Sequence, residues 1–193
     1  MFVSGTTYYG GSGNDYITDG VKAVNNYVLF SGYTNSPDFL GTGMGGYDAF
    51  ILTEKSWYQT YGTGYVIDWT RTISGSDDDI ATAIAIDEND RVFVTGFTLS
   101  DDLPVLQGVF SNAFYQDTLG GASDGFIAGY SMLGTQFWCT YKGTTCIEYC
   151  NDIAYDSVNS QLYVVGEGIN FCGAGGLPPD PDAFVTSFNG PTS

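Results

Sequence analysis

Apolar and polar residues fall into short blocks along this chain, and Gly, Asn and Asp bound the blocks. The stretch Ile80–Thr98 shows the unit. An Ala/Ile run, Ala83–Ile86, is followed by Asp87-Glu88-Asn89-Asp90 and then by the β-branched and aromatic run Val92-Phe93-Val94-Thr95. Asx side chains bond their own backbone and tolerate left-handed conformations, so the polar quartet is turn chemistry between two strands. The pattern predicts a β-hairpin whose second strand ends at Gly96. No stretch keeps a helical apolar period over eleven or more residues with caps, so almost no helix is expected.

The hairpin occurs three times. Aligned on the closing glycine, Val24–Gly32, Glu88–Gly96 and Val158–Gly166 are its copies. A second landmark follows each: Tyr47-Asp48-Ala49-Phe50, Ser123-Asp124-Gly125-Phe126 and Pro181-Asp182-Ala183-Phe184. A third is Asp68-Trp69-Thr70 against Phe137-Trp138-Cys139-Thr140. The closing glycines lie 64 and 70 residues apart, a period in the range of sheet-based repeats. The third predicted strand of each repeat covers Ala49–Thr53, Gly125–Tyr130 and Ala183–Phe188. The fourth covers Tyr65–Ile73 and Thr135–Tyr141. Four antiparallel strands per repeat make a propeller blade. The expected fold is therefore all-β: a β-propeller-like array of about three four-stranded antiparallel blades, closed or extended only by assembly with other copies. It forms a single domain, with repeats at about 7–73, 74–142 and 143–189 and a tail at 190–193. Phe2–Tyr9 resembles Trp69–Ile73 and is expected to be a fourth strand whose own blade is missing. Asp15, Asp79 and Glu148 fall at equivalent positions; capping a turn is the favoured reading of this recurring acid and holding a cation the alternative.

Composition narrows the function. The chain has 193 residues, 43% hydrophobic and 16% aromatic, enough for a sizeable core. Its net charge is −17, with five Lys plus Arg and no His. Phosphate backbones need clustered cations, so nucleic acid is excluded as a partner, and an anionic membrane surface would repel the chain. Without His there is no Ser-His-Asp triad and no His-bound zinc. No stretch is apolar and long enough for a membrane span, and Met1–Gly5 lacks a signal-peptide start.

Four groups of residues are candidates for chemistry. Asp77, Asp78 and Asp79 form the densest acidic run. A calcium site is one reading of it and solvated turns the favoured one, since the spacing does not match a calcium-binding loop. No other cofactor is expected. The cysteines Cys139, Cys146, Cys150 and Cys172 lack metal-site spacing, and two disulfides in an oxidising compartment are expected. Hairpin geometry suggests Cys146 with Cys172 and Cys139 with Cys150, one of three connectivities. The connection carrying Trp57 and Tyr58, and the long loop carrying Phe110, Phe114 and Tyr115, are candidate interface or sugar-stacking surfaces. The alternative for each is an ordinary surface or satellite cluster.

Residues 8–15 (YYGGSGND), 28–39 (VLFSGYTNSPDF) and 45–50 (GGYDAF) resemble the bacterial seven-bladed β-propeller repeat family. That family shows a Tyr-x-Gly-Gly-x-x-x-Asp start, a Val-Thr-Gly-x-Thr-x-Ser core and a Gly-Gly-x-Asp-Ala-Phe close. The likeness covers nearly the whole chain and is strongest in the first two repeats. It implies a secreted or cell-surface protein with no catalytic residues to carry over. Two departures stand out: about three repeats, and a third repeat altered by cysteines. The leading functional expectation is a non-enzymatic extracellular scaffold that self-associates into a ring or surface filament. The alternative is a carbohydrate-binding or adhesion module with glycan partners. A glycosidase is remote, because no carboxylate pair stands out.

Overall fold

Three antiparallel sheets stand in a row in the computed structural model, which describes residues 6–23, 26–40, 45–59, 62–108, 113–169 and 181–189. The first contains β1 (Asp15–Lys22), β2 (Tyr27–Thr34), β3 (Asp48–Gln59) and β4 (Gly62–Ile73), in that spatial order. The second contains β5 (Asp79–Ile86), β6 (Val92–Thr98), β7 (Asp124–Tyr130) and β8 (Gln136–Lys142), again in sequence order. The third contains β9 (Ile147–Asp156), β10 (Gln161–Ile169) and β11 (Pro181–Asn189). Among the described residues there is no helix, and no sheet closes on itself.

The hairpin turns behave as their residue types require. Asp87 accepts the amides of Asn89 and Arg91 at 2.8 and 2.9 Å and pairs with the Arg91 side chain at 2.5 Å. Asn26, Asp90 and Ser160 hold the same place in the three copies, and all are left-handed, with φ of 66, 57 and 52°. Such values suit short polar side chains that bond locally.

The glycine of each hairpin plays a different part from the one expected. Gly96 does not end its strand: β6 runs on to Thr98. A Cβ at Gly32, Gly96 or Gly166 would lie 2.1, 1.9 or 2.0 Å from the carbonyl oxygen of Tyr16, Ile80 or Tyr149, respectively. The first strand crowds the second at this point, and only hydrogen fits. The crowding sits beside a bulge. The registers shift between Ile17 and Asp19, between Ala81 and Ala83, and opposite Val165/Gly166. One extra residue per first strand kinks it and raises its twist.

Other boundaries also differ. The β3–β4 hairpin is longer than expected, so Trp57 and Tyr58 pair within it, opposite Gly64 and Thr63, rather than forming a loop. Residues 6–9 carry no strand, and the rest of the expected first element lies outside the described residues. The third sheet has three strands among the described residues, in line with the two fourth strands expected for the first two repeats alone.

The core lies between the sheets. Leu29, Ala49, Ile51 and Ile73 of the first sheet meet Ala81, Val92, Val94, Phe126 and Tyr141 of the second. The opposite face of the second sheet, with Phe93, Ile127 and Trp138, meets Ile153, Leu162, Val164 and Phe188 of the third. Alternation along each strand makes this possible, because neighbouring residues point to opposite faces. In both junctions the first strand of the following sheet makes much of the contact: β5 lies on β1, β2 and β3, and β9 lies on β5, β6 and β7.

Candidate functional site

The acidic residue at the head of each sheet organises a turn. In the first repeat Asp15 accepts the Gly11 amide at 2.9 Å, the Thr34 hydroxyl at 2.5 Å and the Ser36 hydroxyl at 2.9 Å. In the second, Asp79 accepts Gly75, Thr98 and Ser100 at 2.6, 2.5 and 3.1 Å. The outer layer repeats as well: Ser12 donates its amide to Asp38 and Ser76 to Asp102, each at 2.7 Å. These carboxylates hold backbone in place, which is the capping role expected of Asp15 and Asp79. Sequence reading missed Thr34/Thr98, Ser36/Ser100 and Asp38/Asp102. Their signal was present in the matching spacing of the two stretches 34–38 (TNSPD) and 98–102 (TLSDD).

The third repeat breaks this network. Gly168 stands where Thr34 and Thr98 stand in the other two. Glu148 accepts the Thr144 hydroxyl through Oε1, while Oε2 is buried with no hydrogen-bond partner. Ser123 Oγ, in the residue whose carbonyl accepts the Glu148 amide at 2.9 Å, is also buried without a partner.

Carboxylates approach one another at both junctions. Burial pushes Asp79 up to about 6 against the hydrogen bonds from Thr98, Gly75 and Ser100, and the Asp48 carboxylate of the first sheet adds to the rise. Burial likewise raises Asp124, with the Gly120 and Gly121 amides opposing it and Glu148 of the third sheet reinforcing it. A buried carboxylate near another is harder to ionise.

The acidic run does not converge. Asp79 is engaged as above, Asp78 Oδ1 accepts the Tyr47 amide at 2.8 Å, and the Asp77 amide donates to Ser100 at 2.9 Å. Among the described residues no three His, Cys, Asp or Glu side chains come together to hold a metal.

The expected Cys139–Cys150 disulfide needs correction. Cys139 and Cys150 are free thiols, both buried, and do not pair. Cys139 points to the first sheet and Cys150 lies in the cluster on the other side of the second sheet, so that sheet separates them. Burial pushes Cys139 up to about 12 and Cys150 up to about 11, which keeps both thiols protonated and unreactive. Cys146 is not among the free thiols, and Cys172 lies outside the described residues.

The aromatic candidates separate. Phe114 lies against Phe188 with ring centres 5.7 Å apart, and its carbonyl accepts the Trp138 indole N–H at 2.9 Å. It closes a shallow aromatic depression with Phe93, Phe137, Trp138 and Leu162, a satellite cluster between the second and third sheets. Tyr115 is half-buried, and Phe110 lies outside the described residues.

The outward face of the third sheet is the feature no motif announced. Ile51, Ile127 and Val185 hold one position in three sheets. The first two are 0% exposed and Val185 is 70% exposed. Val165 on the neighbouring strand is 38% exposed.

Antiparallel sheets of four, four and three strands, stacked face to face and joined in sequence order, form a β-propeller-type repeat array. The family model described as Beta-propeller repeat matches residues 68–104, running from the end of β4 through β5 and β6 to Pro104. No curated protein matches the chain. No helix among the described residues is long and apolar enough to cross a membrane.

Proposed function

We propose that this chain is a non-catalytic structural module of the cell surface or extracellular space that associates with copies of itself into a ring or filament. The observation that carries the reading is the contrast at Ile51, Ile127 and Val185: the same face is sealed twice by the next sheet and left open the third time. β11 adds to it, since among the described residues it pairs with β10 alone, whereas β3 and β7 are paired on both sides. A sheet edge with unpaired N–H and C=O groups is a template for another chain. A contact between unlike faces generates a ring if its rotation closes and a fibre if it does not. Surface location rests on the kind of repeat. The two free thiols remove half of the cysteine argument for an oxidising compartment. The sugar-stacking alternative is weakened at Phe114, which is drawn back onto Phe188.

Sedimentation velocity over a range of concentrations tests this. The expected result is a mass that grows with concentration and returns to the monomer in Val185→Arg. A wild-type chain that stays monomeric at every concentration would remove the proposal.

A further inference from the structure

The two internal junctions are built by one rule, and the rule describes a third junction. At each, the first strand of the following sheet lies on the outward face of the preceding one. Its leading acidic residue donates its amide to the carbonyl just before the Asp-x-Phe landmark: Asp79 to Tyr47 at 2.7 Å, and Glu148 to Ser123 at 2.9 Å. Single contacts mark other points of the register. Across the first junction Ile84 donates its amide to Asp19 at 3.1 Å. Across the second, Phe97 meets Tyr149 with ring centres 4.7 Å apart.

Two surfaces of the molecule have the form of these junctions. One is the outward face of the third sheet, with Val165 and Val185 exposed. The other is β1. Its counterpart β5 is buried along most of its length and β9 at alternate positions, while β1 is largely exposed, with Tyr16 at 45% and Ile17 at 49%. β1 therefore has the place of a docking strand and nothing like the burial of its two equivalents. The rest of that face is partly closed, since Phe39 meets Phe50 edge-on at 5.6 Å, and this leaves β1 and β2 as the surface to be covered.

We propose that β1 of one copy docks on β9–β10–β11 of a second copy, head to tail, in the register of the internal junctions. This rests on the self-association proposed above and specifies its interface. Asp15 then donates its amide to the Pro181 carbonyl of the other copy, as Asp79 does to Tyr47. Tyr16 lies beside Glu167, as Tyr149 lies beside Phe97. Gly20, whose amide donates to its own Asp19 at 2.7 Å in the single chain, turns that amide to Asp152, as Ile84 does to Asp19. The contact joins unlike surfaces, so each copy keeps one of each for the next.

Single-cysteine variants Tyr16→Cys and Glu167→Cys, each checked for fold by circular dichroism, test the register with a short bifunctional thiol reagent. The wild type is the background, the two free thiols among its described residues being buried. A crosslinked pair that appears only when the two variants are mixed is the expected result. Crosslinking within either variant alone means a two-fold contact and overturns the proposal. Association by sedimentation without any crosslink overturns the register and leaves self-association standing, whereas a monomeric wild type removes both. Asp152→Ala, an exposed position, is a second check: it is expected to weaken association about tenfold, and no change overturns the register.

Discussion

Asp79 and Glu148 stand at the heads of adjacent sheets, and the difference between them runs through the rest of each repeat. Asp79 is held by three donors, two of them side chains from the far end of its own hairpin. Glu148 is one methylene longer, faces Gly168 instead of a threonine, and keeps one buried oxygen unpartnered. The second sheet is sealed on both faces, while the third is sealed on one. The middle repeat is thus the part of the array that is buried on both faces. The third relaxes the same design on the sheet whose outward face is exposed. A buried unpaired oxygen costs free energy, so the relaxation is not neutral for the fold.

Equivalent substitutions in the two sheets should break this contrast most visibly. Ile127→Ala removes buried methyl groups between the second and third sheets and is expected to cost about 2–5 kcal/mol in urea unfolding. Val185→Ala, at the same position of the third sheet, is expected to fall within about 0.5 kcal/mol for the monomer. Similar costs at both positions would mean that the outward face is covered in solution.

Acidity should separate the sheets next. Asp79 titrates at about 6 in the folded chain against 3.8 for an ordinary aspartate, so the native state holds its proton more tightly. The stability linked to this group is fully present below the unfolded value and is lost as pH rises through about 6. Unfolding free energy is expected to fall by about 1–3 kcal/mol between pH 4.5 and 7.5, with a smaller fall in Asp79→Asn. A stability that rises over this window in the wild type and is unchanged in slope by Asp79→Asn would contradict the buried carboxylate pair.

Two hydroxyl changes sharpen the comparison. Thr98→Ala takes a donor from Asp79 and is expected to lower the urea midpoint by the equivalent of about 1–3 kcal/mol. Gly168→Thr does the reverse for Glu148. A Cβ at Gly168 meets nothing nearer than Glu148 Cγ at 3.5 Å, unlike Gly166, where it would strike the Tyr149 carbonyl at 2.0 Å. The added hydroxyl can reach the unpartnered oxygen, and the loss of glycine reduces unfolded-state freedom, for a gain of about 1 kcal/mol. A destabilised Gly168→Thr would show that the gap beside Glu148 is already filled.

Much of this molecule was legible in residue order. The three hairpins, their polar turns and the left-handed positions Asn26, Asp90 and Ser160 follow from neighbouring residues, because turn chemistry and strand alternation act over a few positions. The resemblance of the repeats to one another yielded the number of sheets and the equivalence of Asp15, Asp79 and Glu148. The sides of the sheets were not legible. One extra residue in each first strand, beside Ile17, Ala81 and Cys150, switches which side chains face which neighbour, and no composition signal marks a bulge. The stacking order of the sheets put Cys139 and Cys150 on opposite sides of the second sheet, buried Ile127 and left Val185 exposed. Local chemistry made the strands; the register between strands and the order of the sheets decided what each face meets.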